Sequence, residues 1–165
     1  MFILNGQRIM KSGDQIGGRN YLLNSADFTK NWSIVPASSV SDQTYLNGKI
    51  INLANDGDAQ HGVQSLVTNI SDDVKEMTWS CFARADNNGD TLHTELWGGK
   101  HKYNQPLTTD WHRYTFSDIL DKENRNIYFW GNPENKGIIQ IALPKAESGL
   151  IATDWTPAPE DFLTN

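Results

Sequence analysis

The sequence predicts an all-β domain, a sandwich or a barrel, and three observations predict it. Short apolar or alternating runs are separated by closely spaced turn clusters. No stretch carries a 3.6-residue amphipathic period long enough for a good helix. The length of 165 residues fits one domain whose core needs no covalent staples. The turn clusters are Asn47-Gly48, residues 54–60 (ANDGDAQ), 85–90 (ADNNGD), Gly98-Gly99, 131–137 (GNPENKG) and Ser148-Gly149.

Residues 1–18 hold four glycines, little periodicity and mixed charge, so they read as a linker or N-terminal arm, with a module over 19–161 and a short tail over 162–165. Within the module, 77–85 (MTWSCFARA) alternates. Trp79, Cys81 and Ala83 share one face, and Thr78, Ser80, Phe82 and Arg84 share the other; the arginine marks the second face as outward. In 91–97 (TLHTELW) Leu92, Thr94 and Leu96 oppose His93, Glu95 and Trp97, so the polar face carries a tryptophan. Trp111, Arg113 and Thr115 alternate with His112, Tyr114 and Phe116. Residues 118–124 read as a short helix or equally as a polar loop. In 126–130 (NIYFW) Ile127 and Phe129 oppose Tyr128 and Trp130, and Ile139, Ile141 and Leu143 form the inward face of a late strand.

An antiparallel sheet can pack on one face and leave the other open. With the strands at 78–84, 91–97 and 126–130 as neighbours, the open face presents Phe82, Arg84, His93, Glu95, Trp97, Tyr128 and Trp130. Aromatic rings interleaved with hydrogen-bonding groups suit a ligand with an apolar face and a hydroxyl rim, which is the description of a sugar ring. Trp97 and Trp130 supply large rigid rings; Arg84, His93, Glu95 and Gln64 supply polar partners, and Tyr103 and Asn104 add contacts from a Gly-rich turn. For either tryptophan, burial in the core is the competing reading.

Composition and spacing exclude other classes. A single cysteine, Cys81, permits no intrachain disulfide and no thiolate metal cluster, and it falls on the core face of its strand. A net charge of -6 argues against a nucleic-acid partner, and no apolar run reaches the roughly 18 residues of a membrane span, so a soluble chain with no membrane insertion is expected. Glycoside hydrolysis needs two flanking carboxyls. Glu95 could be one, but Asp86, Asp90, Glu123 and Glu134 lie in turns, where solvated surface charge is expected, and no G-x-S-x-G elbow is present, so the chain is expected not to be an enzyme. His61, His93, His101 and His112 have no zinc-site spacing, and His93-x-Glu95 alone is two ligands at most. No cofactor is therefore required; the turn Asn55-Asp56-Gly57-Asp58 could accommodate a structural calcium, although it lacks the EF-hand pattern.

The two ends of the module carry its most distinctive text. The run Gly18-Arg19-Asn20-Tyr21-Leu22-Leu23-Asn24-Ser25, followed by Phe28 and Trp32, resembles the opening of modules in tail and baseplate proteins of phages that infect Gram-positive bacteria. Residues 144–149 (PKAESG) and 152–161 (ATDWTPAPED) resemble the ending of the same modules, and 109–114 (TDWHRY) resembles one of their strands. Ala146 departs from the usual leucine before Glu147. The resemblance implies a jelly-roll β-sandwich of two antiparallel sheets, similar to carbohydrate-binding modules. It also implies a place at the tail tip or baseplate, acting at the host surface, with cell-wall saccharide and other tail proteins as partners. Trp32, Trp79, Trp111 and Trp155 match scaffold positions, which leaves Trp97 and Trp130 as the sugar-binding pair. The alternative expectation is a structural tail domain that docks onto a neighbouring protein, or onto another copy of itself, through the same aromatic patch.

Overall fold

A computed structural model describes residues 2–4, 7–9, 18–35, 37–57, 62–120, 123 and 125–162. Its architecture is a β-sandwich of two five-stranded antiparallel sheets. Apart from them, β1 (Phe2–Leu4) and β2 (Gln7–Ile9), within the expected N-terminal arm, pair only with each other.

The first sheet has the order β10-β7-β12-β5-β4 and is built from β10 (His112–Ile119), β7 (Glu76–Ala85), β12 (Ile139–Ser148), β5 (Gly48–Leu53) and β4 (Ser39–Tyr45). The second has the order β3-β6-β11-β8-β9, from β3 (Trp32–Ile34), β6 (Val63–Leu66), β11 (Asn126–Gly131), β8 (Thr91–Leu96) and β9 (Lys102–Pro106). Strands consecutive in sequence often lie in opposite sheets, as β7 and β8 do, which makes the architecture the expected two-sheet jelly-roll sandwich.

The strand faces follow the alternation. Met77, Trp79, Cys81, Ala83 and Ala85 of β7 point into the core, where they meet Leu92 and Leu96 of β8 and Ile127 and Phe129 of β11. Trp79 is fully buried, and its indole N–H donates across the sandwich to Thr94 Oγ1 at 2.9 Å. Thr94 Oγ1 in turn donates to the Tyr128 carbonyl at 2.7 Å, so the polar groups of these two buried side chains are answered. Burying each such large apolar side chain contributes roughly 1.5–3 kcal/mol.

Four expectations change in the structure. The strand at 76–85 pairs with β10 and β12 and not with β8 or β11, so Phe82 and Arg84 belong to the opposite sheet. Leu143 does not face inward: the register of β12 shifts between Ala142 and Lys145, Leu143 takes φ 49°, and its side chain joins Ile50 and Ala142 in a second cluster on the outer face of the first sheet. Gly48 makes room for it, since a Cβ there would lie 2.4 Å from Leu143 Cδ2. Asp90 is not solvated surface charge but 6% exposed; its carboxylate accepts the backbone N–H groups of Lys136 and Gly137, each at 3.0 Å, and ties two turns together. Of the 118–124 segment, Asp118 and Ile119 end β10, while residues 121, 122 and 124 lie outside the described residues.

The distinctive end sequences form one structural unit. Asn20, fully buried, accepts from the N–H groups of Leu22 and Ala146 and donates to Ser25 Oγ and to the Thr156 carbonyl. Arg19 pairs with Glu160, and Asp161 accepts from the N–H of Asn24 at 2.8 Å. Lys145 and Glu147, both buried after the bulge, hold the returning chain: Lys145 Nζ donates to Thr153 Oγ1 and the Asp154 carbonyl, while Glu147 accepts from the Thr153 N–H and hydroxyl. Trp155 donates to Ser25 Oγ and the Pro144 carbonyl. The 19–25, PKAES and ATDWTPAPED segments thus interlock through hydrogen bonds beside the first sheet.

Candidate functional site

Antiparallel register places the candidate residues. On β8 and β11, His93 lies opposite Trp130 and Glu95 opposite Tyr128. β6 adds Gln64 opposite Tyr128, and β9 adds Asn104 opposite His93 and Lys102 opposite Glu95. Six of the ten expected residues, Gln64, His93, Glu95, Asn104, Tyr128 and Trp130, therefore occupy outward positions on four adjacent strands of the second sheet. Trp97 follows the end of β8, and its ring lies 5.5 Å from that of Tyr128 at 47°. It is 41% exposed, the largest aromatic surface beside the face.

Three expected residues are elsewhere. Phe82 packs against Tyr45 on the outer face of the first sheet, and Arg84 donates to Gln140 at 2.7 Å and lies over the Trp111 ring. Alternation gives their face but not their sheet, because side-chain periodicity carries no information on which strands pair. Tyr103 points inward: its hydroxyl donates to the Ser117 carbonyl at 2.6 Å and its ring packs edge-on against Trp79. Its neighbour Asn104 takes the outward position that alternation requires.

The face has a buried centre and an exposed border. Trp130 is 6% exposed and stacks on the His93 imidazole with ring centroids 5.4 Å apart and planes 13° from parallel. Glu95 is 4% exposed, and one of its carboxylate oxygens lies 3.5 Å from the ammonium of Lys102, itself largely solvated. Burial pushes the His93 pKa below its ordinary value, opposed by a hydrogen bond with the Asn104 side chain, so the ring is held toward its neutral form. Burial, and then the Glu95 charge, push the Tyr128 hydroxyl up, so it stays a neutral donor.

Among the described residues, five buried side-chain polar atoms have no hydrogen-bond partner in the protein, and three of them are His93 Nε2, Glu95 Oε1 and Trp130 Nε1. Buried polar groups are nearly always paired, because an unmet donor or acceptor costs about 1–3 kcal/mol. Their concentration in one patch makes that patch the candidate site. Lys102, Thr91, Ser33 and Asn126 also take outward positions on this sheet and were not singled out from the sequence. The polar alternation of 102–106 (KYNQP) was the available signal for Lys102.

Glu95 is the one carboxylate at the outward positions of these five strands. No group of three or more histidine, cysteine, aspartate or glutamate side chains suited to a metal is found among the described residues. In the acidic turn, Asn55 is engaged with the Gly137 carbonyl and the Asn135 amide, and Asp58 lies outside the described residues.

No family model matches the sequence, and no curated protein matches it. Solved structures match the fold. The CBM22-1 xylan-binding domain of Paenibacillus barcinonensis Xyn10C superposes with a TM-score of 0.53 at 12% identity, covering 79% of this chain and 94% of that one. A carbohydrate-binding module from Cellvibrio mixtus lichenase 5A, solved with cellotriose, gives 0.50 at 12% identity, covering 73% and 94%. The CBM22-1-GH10 modules of Clostridium thermocellum xylanase 10B, solved with xylohexaose, give 0.53 at 10% identity, covering 85% of this chain and 30% of that one. At these identities the likeness is one of fold: the chain has the β-sandwich of carbohydrate-binding modules.

Proposed function

We propose that this domain is a non-catalytic carbohydrate-binding module that takes a polysaccharide chain across the outer face of the β3-β6-β11-β8-β9 sheet and requires no cofactor to do so. The observation that carries the reading is the strip of Trp97, Tyr128, Trp130, His93, Glu95, Gln64 and Asn104 on that face, with three buried polar atoms left unmet by the protein. Aromatic rings cover the C–H face of a sugar, and the polar atoms hold its hydroxyls. A lone carboxylate on the strip supports binding over hydrolysis, since glycoside cleavage uses a pair. The shared fold with xylan- and cellotriose-binding modules is consistent with this use of the sheet.

The reading extends to a phage tail or baseplate protein that recognises the cell-wall saccharide of a Gram-positive host for adsorption, among other tail proteins at the tail tip. Its support is the resemblance of the two end sequences, which here close on each other through Asn20, Lys145 and Glu147. An open sugar site binds weakly on its own, and several copies on one tail would supply avidity.

The test is binding of fluorescently tagged domain to candidate host cells, with and without extracted cell-wall polysaccharide as competitor. Wild type should decorate host cells and be displaced by the polysaccharide, whereas Trp97→Ala, folded as judged by circular dichroism, should not decorate them. Wild type that ignores every candidate host overturns the adsorption role; decoration that polysaccharide cannot displace overturns the saccharide.

A further inference from the structure

The three unmet polar atoms differ in kind. Trp130 Nε1–H can only donate, the free oxygen of an ionised Glu95 can only accept, and His93 Nε2 of a neutral ring does one or the other according to tautomer. They also lie close together: His93 and Trp130 are directly opposed across β8 and β11, and Glu95 is the next outward residue along β8. Two of the three residues are more than nine-tenths buried, and all three atoms are covered in the free domain, so water does not answer them and a ligand hydroxyl reaches them only with a small shift of the bordering side chains.

The stacking of Trp130 on His93 decides how that tryptophan can be used. One face of its indole is occupied by the imidazole, and 6% exposure leaves little ring for a sugar to cover. Trp130 therefore contributes its N–H edge rather than a stacking surface. The stacking surface lies at Tyr128, directly opposite Glu95, and at Trp97, two residues beyond Glu95 along the chain.

We infer that His93, Glu95 and Trp130 form the specificity centre of the face, holding adjacent hydroxyls of one neutral pyranose, with Trp130 Nε1 as donor and Glu95 Oε1 as acceptor, and that this centre rejects sugars bearing carboxylate or phosphate there. The inference rests on the saccharide-binding reading above and narrows it to a ligand class. A hydroxyl both donates and accepts, so a pair of neighbouring hydroxyls can satisfy a donor and an acceptor at once. An ionised carboxylate or phosphate has no proton for Glu95 and would bring a second negative charge against a buried one, which low-dielectric surroundings make costly. Lys102 does not cancel that cost, because its ammonium is largely in water and already lies beside the other Glu95 oxygen. A site that leaves its polar groups unmet when the matching hydroxyl is missing discriminates strongly against such ligands.

The experiment is calorimetric titration of the domain with hexasaccharides of β-1,4-linked glucose, xylose, mannose and N-acetylglucosamine, and with oligogalacturonate as the acidic probe. Wild type should bind at least one neutral oligomer and not oligogalacturonate. Trp130→Phe, which keeps the ring and removes the N–H, and Glu95→Gln, which removes the charge, should each weaken the neutral ligand by at least about tenfold. Monodeoxy analogues of whichever neutral sugar binds provide a second readout on the unmodified protein: loss should concentrate at two adjacent hydroxyls. Unchanged neutral binding in both variants, with loss only in Trp97→Ala, overturns the centre and leaves the sheet-face reading standing. Preference for oligogalacturonate overturns the neutral class. Failure to bind any of the five oligomers at millimolar concentration overturns the neutral pyranose as ligand, and the cell-binding test then decides the wider reading separately.

Discussion

The carboxylate of Asp118, on the edge strand of the first sheet, accepts the backbone N–H of His101 at 2.6 Å in the turn that carries Trp97 beside the second sheet. Its other oxygen accepts the Ile119 N–H at 2.7 Å and lies 3.2 Å from His101 Nδ1, and the side chain is fully buried. Gly99 permits this approach, because a Cβ there would lie 2.5 Å from Asp118 Oδ2. Asp118→Ala should therefore cost about 1–3 kcal/mol in urea denaturation and weaken polysaccharide binding without touching the ligand face. Full retention of binding affinity in that variant would show that Trp97 does not depend on the latch.

The Lys145–Glu147 pair gives a second prediction. Both side chains are buried, and each anchors Thr153 in the returning C-terminal segment. Removing one partner strands a buried charge, so Lys145→Met or Glu147→Leu alone should destabilise by about 3–5 kcal/mol, while the double variant should cost less than the sum of the two. A double-variant cycle by chemical denaturation measures this; strict additivity would mean that the two charges do not act as a pair.

How much of this was legible in the sequence differs from residue to residue. The period of two assigned the faces of β7, β8 and β11 correctly, because that alternation is a local property of extended chain. It does not carry the pairing of β7 with β10 and β12, a matter of contacts far apart in sequence, and so the sheet to which Phe82 and Arg84 belong is not legible from it. Leu143 was misassigned because one bulge inverts the alternation within a strand. Nothing local marks Asp90 as buried, because the N–H groups that hold it come from residues 136 and 137, in a different turn.

Acid should destabilise the domain through His93. Its folded-state pKa lies below the ordinary value of 6.5 because burial disfavours the imidazolium, so the unfolded chain binds this proton more readily. The favourable contribution is complete above the ordinary value and is lost as pH falls from there toward the depressed folded value. Asn104, Trp130 and Glu95 are the groups around the ring. Denaturation midpoints at pH 7.5 and 5.5 should therefore differ more in wild type than in His93→Gln; an equal difference in the two would exclude this origin.

Cys81 should be chemically silent in the folded protein. Burial in the core pushes its thiol pKa far up, which removes the reactive thiolate. A chromogenic disulfide reagent should give no label in native buffer and one equivalent in denaturant; rapid native labelling would contradict the packing of β7.

The six tryptophans provide the most direct measurement of the central claim. Trp32, Trp79 and Trp155 hold their indole N–H groups on protein acceptors, whereas Trp130 has none and Trp97 borders the candidate face in solvent. In a two-dimensional nitrogen–proton spectrum of the labelled domain titrated with a polysaccharide that it binds, the Trp97 and Trp130 indole signals should shift while those of Trp32, Trp79 and Trp155 stay in place. Shifts confined to Trp111, on the outer face of the opposite sheet beside Tyr45, Phe82 and Arg84, would contradict the assignment of the saccharide to this face.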